Sequence, residues 1–391
     1  MKHNGFPIID CDTHVLEPTL IWEHYLDPAF RVVARSAFWH EVDEHGLTVT
    51  LVNDAPARPL SRGGINRQAI WRPGMTPESI GALDPRERHP INPGACEAGA
   101  RLADMDRMGV HAHVLFPTLF AEYFPVVRNP DAAAALARAY NDWVHDFAEA
   151  DRQRLIPVAV LPMQDVSFAL RELERVAERG FRAVFVRPAF NNNRFPNHPA
   201  YAPLWREIAR RDLTLCVHPS PGSTNAEWTS LGTFVERVAN NLRIGHDVGE
   251  SVAPTMDNAT MLTALCFYGH MEEYPTLRIA FLHGGASWVP LTLEKAETYL
   301  WLLSAIQDVS LEPEDVFFSR PSLVSFDSWE SSVPRMLDVY GQVAAWGSRY
   351  PHHDASEPSE ALSLLDKYDV GGDHRAQLMG GNTARIFSIG T

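Results

Sequence analysis

The residues best suited to chemistry are a carboxylate and several histidines that end apolar runs. Asp12 and His14 stand two apart in Asp10-Cys11-Asp12-Thr13-His14, so on an extended strand both face one side. A carboxylate oxygen and a neutral imidazole nitrogen are hard and borderline ligands, a set that suits zinc, iron or manganese. A plain carboxylate–histidine hydrogen bond would give the same spelling. Further along, Cys216-Val217-His218 and Phe281-Leu282-His283 also close apolar runs on a histidine. One such histidine alone reads as a hydrogen-bonded core or loop residue. Three at comparable strand ends point to a convergent site. The glycines Gly284 and Gly285 after His283 would let a ligand approach the backbone closely.

Other candidates are less specific. Glu17, three residues past His14, is expected to ligate the metal; bridging two metals or capping a helix are the alternatives. Arg187, in Val186-Arg187-Pro188, could bind a substrate carboxylate or pair with a local acid. The stretch Gly347-Ser348-Arg349-Tyr350-Pro351-His352-His353-Asp354 is dense in polar groups. It reads either as part of the site or as a solvated loop.

These residues need a scaffold that brings strand ends together. Short apolar runs alternate with helical patterns along the chain: 6–11, 113–116, 155–161, 183–186, 213–217, 278–282, 322–326 and 343–346. Helical periodicity marks 97–108, 132–149 and 168–179. Continuous apolar strands suggest a parallel sheet covered on both faces. Eight β–α alternations predict an α/β fold, a (β/α)8 TIM barrel, with an open doubly wound sheet as the rival. The chain reads as one domain, 1–391. Insertions at about 15–95 and 219–260 follow strand 1 and strand 5, on the side where such barrels build substrate pockets. A decorative or dimer-forming lobe is the simpler reading of either.

Composition narrows the function classes. The chain has 391 residues, 45% of them hydrophobic, and a net charge of −15. An acidic surface repels phosphate backbones, so nucleic acid is not an expected partner. No apolar run has the length of a membrane span, and the opening MKHNGFPIIDCDTH has no signal-peptide core. The four cysteines, Cys11, Cys96, Cys216 and Cys266, are widely spaced. A reduced, cytoplasmic protein is expected, and chains of this size often form symmetric dimers.

The chain resembles the amidohydrolase-related family, which includes aminocarboxymuconate-semialdehyde decarboxylase and hydroxybenzoate decarboxylases. The resemblance runs from IIDCDTHVLEP through ARLADMDRMGVHAHVLFPT, GFRAVFVRP, AYAPLWREIARRDLTLCVHPS and YPTLRIAFLHGGASWVP to LMGGNTARIF. It implies a divalent metal held by Asp12, His14 and His218, with His283 as the catalytic acid/base. Zinc is the first expectation; manganese, iron and a second metal are alternatives. Many members have His where this chain has Asp12, and D-x-H versions are common; the departure is at strand eight. The family resembles G-S-D-Y-P-H at strand eight, with the Asp a metal ligand, whereas this chain has Arg349. A guanidinium has no lone pair to offer a cation. Three arrangements follow. Arg349 turns away while Asp327, Glu17, His352 or Asp354 completes the shell; or it pairs with Asp12 in a metal-free site that binds an anion; or the barrel is a degenerate partner of a related active subunit. Arg187, Arg349 and His352 are the candidate substrate contacts.

The expected activity is metal-dependent hydrolysis or non-oxidative decarboxylation of a small carboxylate-bearing molecule. A dinuclear oxygen-activating centre is the remaining alternative. The insertion aromatics Trp22, Phe38, Trp39, Trp71 and Trp228 would suit an aromatic acid, or simply pack.

Overall fold

The computed structural model describes residues 5–56, 69–84, 87–219, 252–306 and 312–390. Its centre is an eight-stranded parallel sheet: β1 (Ile9–Val15), β5 (Ala112–Pro117), β6 (Leu155–Val160), β7 (Ala183–Val186), β8 (Thr214–Val217), β9 (Arg278–Phe281), β10 (Ser322–Phe326) and β11 (Ala344–Trp346). These strands neighbour one another in that order, from β1 and β5 round to β10 and β11. Nearly every strand residue is buried, because helices cover the outer face and side chains fill the interior. That double burial is why the runs are continuously apolar.

The ring closes just beyond β11. The Arg349 N–H donates to the Asp12 carbonyl at 2.9 Å, and the His14 N–H donates to the Tyr350 carbonyl at 2.6 Å. Asp10 adds a side-chain stitch across the same seam, accepting from the Ser348 N–H at 3.0 Å and the Asp12 N–H at 3.2 Å. The pairing of β1 with β5 shifts register between Asp10 and Thr13. A local irregularity of this kind re-aims side chains, and here it lies at Asp12.

Strand one therefore runs further than its apolar run suggests. The expected 6–11 becomes Ile9–Val15 and carries Asp12 and His14 within it. Ladder bonds to both neighbours and buried Arg101 support this polar stretch. Arg101 donates to the Gly94 carbonyl at 2.8 Å, to Thr13 Oγ1 at 3.3 Å, and to the His14 carbonyl.

Between β1 and β5 lies the first insertion. It contains a three-stranded antiparallel sheet, β2 (Phe38–Asp43), β3 (Gly46–Val52) and β4 (Ala55–Pro56). Trp22, Phe38 and Trp71 are buried there, and Trp22 packs edge-on against Phe38 and His40. His40 Nε2 lies 2.8 Å from the Glu17 carbonyl, seating the lobe on the chain leaving β1. Most of the second insertion, including Asn225 and Trp228, lies outside the described residues. Among the described residues, no helix is long and apolar enough to cross a membrane. All four cysteines are free.

Two measurements test this frame. A Cβ on Gly347 would sit 2.8 Å from the Asp12 Cβ, closer than carbon atoms pack. Gly347→Ala is expected to cost about 1–3 kcal/mol in denaturant unfolding and to lower metal uptake by displacing Asp12. Burial also holds the His40 imidazole neutral, lowering its pKa from 6.5 to about 4. An unfolded chain takes up that proton first, so this stability is present above pH 6.5 and lost as pH falls towards 4, at about 1.4 kcal/mol per pH unit. Between pH 7 and pH 5, the parent should lose roughly 2 kcal/mol more than His40→Gln.

Candidate metal centre

Four side chains converge at the C-terminal end of the barrel. Asp12, His14, His218 and His283 are all buried, and each offers a ligand atom within 4.8 Å of the others. Asp12 and His14 come from β1, His218 from the residue after β8, and His283 from the second residue after β9. Asp12 Oδ1 lies 3.3 Å from His14 Nε2 and 3.2 Å from His218 Nε2. The His218 ring centroid is 4.9 Å from that of His14 and 5.0 Å from that of His283.

The far side of each ring determines what this cluster can hold. His14 Nδ1 lies 3.1 Å from the Pro117 carbonyl and His218 Nδ1 lies 2.6 Å from the Pro219 carbonyl. A carbonyl only accepts, so in a neutral ring the proton sits on Nδ1. The Nε2 lone pairs then point at Asp12, and lone pairs facing a carboxylate oxygen repel unless a cation lies between them. Tethering a ligand histidine through its other nitrogen is how proteins fix the tautomer at metal sites. His14 Nε2 and His283 Nδ1 are buried without a hydrogen-bond partner. These residues fit one divalent cation.

Burial pushes the Asp12 carboxyl up, and charge and hydrogen bonds from His218 and His14, where those rings carry Nε2 protons, hold its pKa well below the usual range; with neutral rings that stabilising part falls to a cation. Burial lowers the His14 pKa. Burial, then the Arg349 charge, lower that of His283 far more. The site thus presents an ionised carboxylate and unprotonated His14 and His283 rings at neutral pH.

The remaining candidates do not join the four-residue cluster. Glu17 is not in the cluster. Its carboxylate accepts from the N–H groups of Thr118 at 2.8 Å, Leu119 at 2.9 Å and Phe120 at 3.3 Å. It thereby caps the helix Leu119–Tyr123, because the chain has already left β1 at Val15. His352 stacks on His14 with ring centroids 4.1 Å apart, and its Nε2 lies 3.2 Å from Thr118 Oγ1. It braces the His14 ring. Arg187 is buried and donates to the Glu122 carbonyl at 2.9 Å and the Ala121 carbonyl at 3.4 Å, bracing that same helix.

Arg349 does not pair with the Asp12 carboxylate. Its Nη2 lies 2.8 Å from Asp327 Oδ1 and its Nη1 lies 2.5 Å from Asp354 Oδ2. Only its backbone N–H reaches Asp12. Asp327 and Asp354, offered above as replacement ligands, are the counter-ions of this guanidinium. Burial raises the Asp327 pKa to about 6 despite Arg349, while Arg349 holds Asp354 well down against the effect of burial. Asp10, which stitches the seam, and Ser325, whose Oγ accepts from the His283 N–H at 2.9 Å, were missed as supporting residues. Only the Asp10 position, two before Asp12 on the same strand, offered a clue in the sequence.

A cavity of about 680 Å³ opens in the inserted lobe, lined in part by Trp22, Arg31, Arg35 and Trp39. It lies away from the histidines.

The family model described as Amidohydrolase matches residues 9–389. The chain belongs to the amidohydrolase family. Among similar proteins, 2-amino-3-carboxymuconate-6-semialdehyde decarboxylase of Dictyostelium discoideum is 22% identical over 210 residues, which are 53% of this chain and 53% of that protein. The chain spans about half the length of the first relatives it matches. An amidohydrolase structure from Mycobacterium avium subsp. paratuberculosis K-10 superposes with a TM-score of 0.78 at 18% identity, covering 98% of this chain and 99% of that one. A dihydroxybenzoic acid decarboxylase of Polaromonas sp., solved with manganese and the inhibitor 2-nitroresorcinol, superposes with a TM-score of 0.64 at 15% identity, covering 98% and 97%. At these identities the structural matches speak for the fold.

Elemental analysis of purified protein should find about one equivalent of divalent metal per chain. His14→Ala and His218→Ala should each fall well below that while keeping the parent's circular dichroism. Two equivalents in the parent would contradict a single centre.

Proposed function

We propose that this protein is a metal-dependent, non-oxidative decarboxylase of hydroxylated aromatic carboxylic acids. The observation that carries the reading is the convergence of the His14 and His218 Nε2 lone pairs on Asp12, with the His283 ring packed beside that of His218. A gamma-resorcylate decarboxylase of Polaromonas sp., 27% identical over 194 residues, supports the aromatic substrate class. Asp12, His14 and His218 would hold the cation. When bound, it supplies Lewis-acid polarisation of substrate oxygens. The mixed carboxylate and imidazole set accepts zinc or manganese, and manganese in the Polaromonas enzyme makes it the first metal to load.

The chain's own part is proton handling. Decarboxylation breaks the carbon–carbon bond to the carboxylate, releases carbon dioxide, and leaves an electron pair on carbon that must take up a proton. His283 is the group placed to hold that proton. Burial and then Arg349 keep the ring neutral at rest, so it takes up a proton from water or a substrate hydroxyl and passes it to the ring carbon. The same ring, neutral at rest, does not compete with the cation for Asp12.

The other readings have less support. A metal-free site would require Arg349 to balance Asp12, and Arg349 is bonded to Asp327 and Asp354 instead. A second metal would require Glu17 or the strand-eight histidine His352, which are engaged at the helix Leu119–Tyr123 and against His14.

Manganese-loaded protein should release carbon dioxide from 2,6-dihydroxybenzoate or a related hydroxybenzoate. His283→Ala should lower kcat by roughly 100- to 10,000-fold with the metal equivalent intact. Loss of the metal in that variant would make His283 a ligand instead. A full panel of hydroxybenzoates left untouched by the loaded parent would refute the decarboxylase reading.

A further inference from the structure

His283 occupies a backbone conformation that histidine rarely adopts, with φ of 63°. A non-glycine residue in this left-handed region costs on the order of 1 kcal/mol or more and persists only where its surroundings over-determine it. The turn is pinned at successive polar groups. Asn258 donates to the Leu282 carbonyl at 2.8 Å, the His283 N–H donates to Ser325 Oγ at 2.9 Å, and Thr255 donates to the Gly284 carbonyl at 3.0 Å. The carbonyl of His283 itself accepts from Arg349 Nη2 at 3.3 Å.

Arg349 is equally constrained. It too is left-handed, with φ of 61°, and its N–H is tied to the Asp12 carbonyl at 2.9 Å. Its guanidinium spans three acceptors: Asp327 Oδ1 at 2.8 Å, Asp354 Oδ2 at 2.5 Å and the His283 carbonyl. One residue thus joins the strand that bears the metal ligand Asp12 to the backbone of the proton-handling histidine. Two carboxylates neutralise its charge, so it is poorly suited to anchor a substrate anion. The arrangement needs a planar fork of donors fixed in direction, which arginine has and lysine lacks.

We propose that Arg349 is a positioning residue: anchored by Asp327 and Asp354, it holds His283 in its left-handed turn and so fixes the imidazole relative to Asp12. This role rests on the reading of His283 as the proton-handling group. It explains why a guanidinium is compatible with a working centre: the residue serves the proton step through geometry and leaves the cation to other side chains.

The test compares parent, Arg349→Met, Arg349→Lys and Asp354→Asn, each loaded with manganese and assayed on 2,6-dihydroxybenzoate. In Arg349→Met, kcat should fall on the order of 100-fold, the usual effect of displacing a reacting group by about 1 Å. KM and the metal equivalent should stay within twofold. Arg349→Lys and Asp354→Asn should fall in the same direction by less, which keeps the test open if Arg349→Met does not fold. Crystal structures of the metal-free parent and of a folded Arg349 variant give a readout independent of turnover. In the variant, His283 should leave the left-handed region or its ring should swing from its place beside His218. A raised KM with kcat retained would make Arg349 a substrate contact and overturn the proposal. A changed metal equivalent would make it an electrostatic modulator of the cation, with the same consequence. An unmoved His283 would overturn it as well. If the parent turns over no aromatic acid, the decarboxylase reading fails, and the crystal structures still decide the role of Arg349.

Discussion

The closure of the barrel between its first and last strands is the constraint on which the site depends. Asp12 takes part twice: its side chain faces the histidines and its carbonyl accepts the Arg349 N–H. His14 likewise places its ring in the cluster while its N–H closes the seam to Tyr350. Backbone pairing fixes the β-carbons, and the carbonyls of Pro117 and Pro219 fix the two rings. The cluster is therefore preorganised by the ring of strands. The close approach is possible because Gly347 leaves room for the Asp12 Cβ.

The same seam carries a concentration of buried polar groups that few proteins would tolerate elsewhere. Asp10, Asp12, Arg101 and His113 are all buried along or beside β1. An unpaired buried charge costs several kcal/mol, so each must be met locally. Arg101 meets backbone carbonyls and Thr13. Asp10 meets two amides, and burial still pushes its carboxyl up to about 7. Stability alone would favour apolar residues here. The rule that local choices should agree with the fold is broken at β1, where chemistry imposes a different requirement.

Much of this was legible in the sequence because barrel strands have a strong signature. Continuous apolar runs ending in His218 and His283 marked strand ends correctly, since double burial and the polar barrel mouth meet at those residues. Asp12 and His14 were legible through their period-two spacing. Glu17 misled because a ligand-type residue lay close in sequence to true strand-end residues. Its destination depends on amides at Thr118, Leu119 and Phe120, about a hundred positions away. Arg349 could be recognised as anomalous, but its partners Asp327 and Asp354 are selected by packing. The antiparallel sheet β2–β4 was missed because β2 and β3 mix apolar with polar residues instead of running continuously apolar, and the three strands pair only with one another.

Arg349 first reads as an obstacle to a cation, and the surrounding charges resolve the difficulty. A guanidinium in place of a carboxylate changes the local charge by two units. Asp327 and Asp354 flank that guanidinium, and both are ionised at neutral pH, since Asp354 is held well below the usual range and Asp327 titrates at about 6. With Asp12, these carboxylates outnumber the one guanidinium, so the surroundings of Arg349 stay net negative. Burial keeps His14, His283 and His352 neutral, so they do not alter the balance. The surroundings of Arg349 thus retain the negative charge a cation site needs. That charge is moved outward to Asp327 and Asp354, and the arginine between them becomes a fixed strut.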